Sequence, residues 1–173
     1  KIKDGGVCSM KKILTVFGVI LMVFAVVLYN FAPDKNFSAL EDVQSMLEEN
    51  YGMVTMREAE KSILRGERYV LSFYHVLDDS EETMVTVYVY DSAQAAESDA
   101  ATITPDGFGV ERAGQFGRAE SMQISWVDAP HFFLYENVIV QYIGMDFDLL
   151  QCLYQLCGAQ IAGQPFIESP LID

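Results

Sequence analysis

Cysteine, histidine and basic residues are scarce in this chain, and each scarcity removes a class of function. Of 173 residues only three are Cys and two are His. Cys8 lies in the first stretch, and Cys152 and Cys157, five positions apart, would stand roughly 8–9 Å apart on a helix, beyond disulfide reach. Neither has a further Cys or His at metal-ligand spacing, so both read as small buried hydrophobes. Lysine and arginine number 11 against 25 aspartates and glutamates, a formal net charge of −14. Such a field repels phosphate backbones and anionic lipid heads, so nucleic acid is not an expected partner. The glycine-rich stretch from Gly107 to Gly114 does not join a strand directly to a helix, the arrangement a phosphate cradle needs. No residue set implies a cofactor.

What the chain does have is one uncharged apolar run, Ile13 to Tyr29, preceded by Lys11-Lys12 and followed by Asn30-Phe31-Ala32-Pro33. At about 1.5 Å of rise per residue, a helix from Ile13 to Ala32 reaches roughly 30 Å, the thickness of a bilayer's hydrocarbon core. Lys1, Lys3, Lys11 and Lys12 all precede it, so the positive-inside bias leaves the N-terminus in the cytoplasm and exports the chain beyond Ala32. Cleavage after Ala32 would place Asn30 at −3 and Pro33 just beyond the cut, so residues 10–32 are expected to stay as an uncleaved signal-anchor. Cys8 precedes the run, which argues against lipidation. Met10-Lys11-Lys12 resembles a bacterial opening, and Gly5-Gly6 can be encoded by a ribosome-binding sequence upstream of Met10. Residues 1–9 therefore read as translated leader or an added remnant, 33–165 as one extracytoplasmic domain and 166–173 as a tail.

Beyond the anchor the chain keeps 24 acidic against 7 basic residues, with enough Tyr, Phe, Val and Leu to bury a core. Ser38 is expected to cap a helix carrying Leu40, Val43, Met46 and Leu47, with Gly52 after its last turn. Thr55-Met-Arg-Glu58 matches a capping box and predicts a short helix from Met56 to Arg65. Arg68 to Leu77 and Thr83 to Asp91 read as a β-hairpin joined by an acidic turn. Asp91 or Ser92 caps an alanine-rich helix from Ala93, and the stretch to Gly117 is expected to be the longest loop. Ser121 to Val127 reads as a strand. Pro130 to Phe133 leads into a hairpin turning at Glu136-Asn137, with Val138 to Ile143 as its second strand. Asp146 or Asp148 caps a last helix bearing Leu149, Leu150, Leu153 and Leu156. The fold class is thus α+β, with a mostly antiparallel sheet of four to five strands and helices packed on one face.

Candidate chemistry is thin. His131, with Asp128 and Glu136 near it in sequence, is the candidate general base if the protein is an enzyme, a hydrolase in that case. Alternation along a strand points these neighbours in different directions, and no nucleophile elbow accompanies them, so no catalytic residue is assigned. His75 reads as a structural strand residue. Asp78, Asp79, Glu81 and Glu82 are candidate Ca²⁺ ligands in the acidic turn, which lacks Asp-x-Asp-x-Asp-Gly spacing. Trp126, His131 and Phe132 are the candidate binding residues. Aromatics at Tyr69, Phe73, Tyr88, Tyr90, Phe132 and Tyr135 recur with a period near two, the pattern of a packed sheet face.

The segments Trp126-Val-Asp-Ala-Pro-His131-Phe-Phe, Asn137-Val-Ile-Val-Gln-Tyr-Ile-Gly144 and Leu156-Cys-Gly-Ala-Gln-Ile-Ala-Gly163 resemble small exported proteins of Gram-positive bacteria that carry an N-terminal anchor or lipid signal and no assigned activity. The resemblance covers roughly the last third of the chain and implies an address rather than catalytic residues. The expectation is a single-pass membrane protein, held through residues 13–32, whose extracytoplasmic domain binds a protein or cell-envelope partner. A Ca²⁺-responsive envelope module through the 78–82 turn and a hydrolase using His131 are the alternatives.

Overall fold

The structure, a computed structural model, describes residues 36–60, 62–75, 78–113 and 119–166. The expected leader, the anchor and most of the tail lie outside these residues. Among the described residues no helix is long and apolar enough to cross a membrane.

The described residues belong to one compact unit. Its chain order is α1 (Ser38–Tyr51), β1 (Thr55–Ala59), β2 (Glu67–His75), β3 (Asp78–Val89), α2 (Ala93–Ala100), β4 (Gly109–Ala113), β5 (Ala119–Gln123), β6 (Pro130–Tyr135), β7 (Val138–Ile143), α3 (Phe147–Cys157) and β8 (Gln160–Gly163). The fold is α+β. Six strands pair antiparallel in the order β1-β2-β3-β7-β6-β8, and β4 with β5 makes a separate hairpin.

The sheet is larger than the four to five strands expected, and helices cover both of its faces. Alternation along each strand explains the second point, because successive side chains point to opposite faces. Leu71, Phe73, Val85, Val87, Val138, Val140 and Phe133 share one core with Leu40, Val43 and Leu47 of α1 and Leu149, Leu150 and Leu153 of α3. Tyr88, Ile139 and Phe132, their neighbours in sequence, share the other core with Ala96 of α2 and Val110 of β4. The first face is a helix-covered apolar layer in which each buried leucine contributes about 1.5–3 kcal/mol. The second is covered by the short helix α2 and the small hairpin.

Local chemistry accounts for the helix starts. Ser92 Oγ accepts the Ala95 N–H at 3.2 Å, and Asp146 Oδ1 accepts the N–H groups of Asp148 and Leu149 at 3.0 and 3.2 Å. At α1 the N-cap position is Phe37, which offers no capping side chain; Asn36 Oδ1, one residue earlier, takes the Ser38 N–H at 3.0 Å, so Ser38 is the first helical residue and not the cap.

Three expectations are corrected. Thr55 to Ala59 is an edge strand rather than the start of a helix, and the Thr55 hydroxyl donates to the Ser72 carbonyl at 3.2 Å across the sheet. Five register pairs with β2 outweigh a four-residue capping pattern. Gly109 opens a strand inside the stretch expected to be a loop, where Thr104 and the Met122 carbonyl crowd the position a Cβ would take. Gln160–Gly163 adds a sixth strand beside β6. There Gly163, at φ 111°, leaves no space for a side chain against the Pro130 carbonyl.

Candidate functional site

The cover on the second sheet face is fastened by a buried carboxylate. Asp99, at the end of α2 and 4% exposed, accepts the Arg65 N–H at 2.6 Å and the Tyr90 hydroxyl at 2.8 Å on Oδ2. Its Oδ1 meets Arg112 of β4 at 3.2 Å, and Arg112 also donates to the Ile63 carbonyl at 2.6 Å. Burial, and then the bond to Asp99, raises the Tyr90 hydroxyl above its ordinary value. This knot ties α2, the 63–66 segment and β4 together. Apart from the Arg112 Nε, which is buried without a partner, its groups are engaged by the fold, so it reads as structure.

The cover does not extend over the whole face. An open groove of about 710 Å³ runs over the part of β2, β3 and β7 that α2 and the hairpin leave bare. Its lining includes Arg68 and Val70 from β2, Thr86 from β3 and Gln141 from β7. Thr86 stands opposite both Val70 and Gln141 in the register. The remaining walls include Arg57 of β1, Met84 of β3, the Ser125–Asp128 loop and Met145. The loop holds its shape because the Trp126 indole N–H donates to the Gly107 carbonyl at 2.8 Å and Asp128 Oδ1 accepts the Ala129 N–H at 2.7 Å. Met84 and Met145 are each about half exposed and Val127 is fully exposed, which makes an apolar rim.

Tyr88, opposite Arg68 in the register, donates its hydroxyl to Gln141 Oε1 at 3.1 Å. Burial raises that hydroxyl's pKa and keeps it protonated as a donor. Gln141 is 4% exposed, and its Nε2 is buried with no hydrogen-bond partner. The Nε of Arg68 is in the same condition. A groove of this size, with an apolar rim and a few convergent polar groups, has the form of a site for a small molecule or a short extended segment.

The sequence-derived candidates are dispersed. His131 is fully buried, with Nδ1 3.0 Å from Gln160 Oε1 and its ring stacked on Tyr142 at 6.2 Å between centroids. It lies on the face covered by α1 and α3. Glu136 is exposed in the β6–β7 turn, roughly 16 Å along the strand from His131. Asp128 is exposed on the groove wall. The three are not gathered as an acid–base set, and the ring's neighbour is an amide rather than a carboxylate. Of the binding trio, Trp126 lines the groove, Phe132 is buried 6.4 Å from its ring, and His131 faces the other way.

Asp78 begins β3 and pairs with His75, so the acidic stretch is largely strand rather than turn. The side chains of His75, Asp78, Asp79 and Glu81 lie outside the described residues, while Glu82 is exposed on the groove wall. Among the described residues no three His, Cys, Asp or Glu side chains are grouped to hold a metal ion. Cys152 and Cys157 are free and part-buried on α3. Burial pushes the Cys157 thiol up to about 12 and raises Cys152 too, so neither is a thiolate at neutral pH.

Arg68 and Gln141 were not singled out by motif. The signals were that Gln141 is the one amide in the Val138–Ile143 run and that Arg68 is the one permanent cation in the strand from Glu67 to His75. Compared with protein-family models, curated proteins and solved structures, the chain matches none of them.

Proposed function

We propose that this protein is a membrane-tethered, extracytoplasmic binding domain, anchored through residues 13–32, which engages another exported protein or an envelope component through the open groove on its sheet. The observation that carries the reading is the groove itself: a bare stretch of central sheet with an apolar rim, beside a sheet face that is otherwise well covered. A concave site with a few convergent polar groups is the usual form of a binding site. The tether rests on the length of the apolar run, its basic N-terminal flank and the poor cleavage sites after it.

Two measurements test this. Protease added to intact protoplasts removes everything beyond Asp34 if the domain is outside, and protection from that protease overturns the topology. Affinity capture of the full chain from its own membrane, repeated with Met84→Glu/Met145→Glu and with Met53→Glu, tests the surface. Met84 and Met145 line the groove, whereas Met53 is exposed without lining it. A partner lost with the groove pair and kept with Met53→Glu supports the reading; equal retention by all three removes the groove from it.

A further inference from the structure

The groove contains two buried hydrogen-bond donors without an acceptor. Gln141 is more than nine-tenths buried, its Oε1 is taken by Tyr88, and its Nε2 has no partner. Arg68 is half-buried, and its Nε is likewise unmatched. A guanidinium keeps its charge at any physiological pH, and burying one of its N–H groups without an acceptor is costly. Where the chain buries an arginine for structure it supplies a carboxylate: Arg112, whose Nε is also unmatched, meets Asp99 through Nη2 at 3.2 Å. Arg68 receives no such partner among the described residues. The described carboxylates lining the groove, Glu82 and Asp128, are exposed, and Asp128 Oδ1 is engaged by the Ala129 N–H.

Resting on the binding reading above, we infer that the groove recognises a carboxylate: Arg68 and Gln141 Nε2 donate to its oxygens, and a short apolar body lies between Trp126 and the Met84 and Met145 side chains. The scale fits. β2 and β7 flank β3, so their backbones are roughly 9.5 Å apart, a span that an arginine, a glutamine and one carboxylate fill together. The carboxylate matches donors of both kinds, since arginine meets it with a planar fork and a buried amide N–H needs only one lone pair. Trp126 is the chain's single tryptophan, so its fluorescence reports on the site alone.

The test titrates the full chain, in micelles of a non-ionic detergent, with N-acetyl-leucine, N-acetyl-leucinamide and inorganic phosphate while Trp126 emission is recorded. Expected is a saturable change with N-acetyl-leucine at millimolar concentration or below, at least tenfold weaker for the amide and for phosphate. Arg68→Gln weakens the acid at least tenfold and leaves the amide's response where it was. The peptide acetyl-Gly-Gly-Leu separates sources: a tenfold gain over N-acetyl-leucine identifies a peptide C-terminus, and equal binding a free acid.

No saturable change, equal affinity for acid and amide, equal affinity for phosphate, or indifference to Arg68→Gln overturns the inference. The acid–amide comparison needs no substitution and so stands even if Arg68→Gln folds poorly. A groove that loses its captured partner on Met84→Glu/Met145→Glu yet treats acid and amide alike discards only the carboxylate assignment. Capture unaffected by that pair discards the binding surface itself.

Discussion

The two faces of the six-stranded sheet come from the same strands and are held down by different physics. Under α1 and α3 the contact is a continuous apolar layer, with leucines and valines of strand and helix interlocked. Under α2 and the β4–β5 hairpin the apolar patch is smaller, and a buried carboxylate with Arg112, Tyr90 and the Arg65 N–H completes the fastening. A layer made by hydrophobic burial tolerates sliding and repacking, whereas one fixed by directional bonds to a single carboxylate depends on that residue. The polar fastening leaves part of its face bare, and the groove is what remains.

The largest expected effect on this contrast is pH. Burial raises the hydroxyls of Tyr51 and Tyr142 on the first face and of Tyr88 and Tyr90 on the second. Their folded-state values exceed the unfolded value of about 10, so the stability they contribute is complete below pH 10 and lost as pH rises beyond it. Urea unfolding at stepped pH should show a steep decline above pH 10, and a flat profile there would mean that the phenols ionise freely in the folded domain.

Next comes Asp99→Ala, which strands Tyr90 and Arg112 and should cost about 3–5 kcal/mol, as breaking a buried pair does. Hydrogen exchange should report loosening of α2 and β4 before α1 and α3. Uniform loosening would show that the faces unfold as one unit. On the other side, Leu153→Ala should cost about 2–5 kcal/mol through lost burial and a cavity, with α1 and α3 affected first. The smallest effect belongs to the groove: Met84→Glu/Met145→Glu, at positions about half exposed, should move stability by no more than about 0.5 kcal/mol each. A larger loss in a melting curve would mean that the rim is part of the core.

Periodicity made some of this architecture readable. The β6–β7 hairpin and its Glu136-Asn137 turn, the stripe on α1, and an aspartate cap at 146 or 148 with Gly158 behind α3 are all local patterns, and local patterns survive folding; the structure puts the cap at Asp146. The short edge elements were not readable. β1 carries a capping-box pattern and is a strand because β2 offers it a ladder, and β8 is four residues long and exists only because β6 lies alongside. His131 was the residue most visible to motif reasoning. The structure places it against Gln160 and Tyr142, because the side chain at 131 falls on the same face as Phe133.

By itself, then, the sequence determined the α+β class, the acidic character that disfavours nucleic acid, the apolar segment ahead of the domain and the elements whose periodicity is long enough to be unambiguous. Only the tertiary structure decided which strands are neighbours, which face each helix covers, and that Arg68 and Gln141, far apart in the chain, meet at one groove, with Tyr88 bonded to Gln141. The reason is physical. A side chain's facing is set by its own strand's period, but what it faces depends on the order in which strands pair, and that order is chosen by the burial of the whole sheet rather than by any one segment.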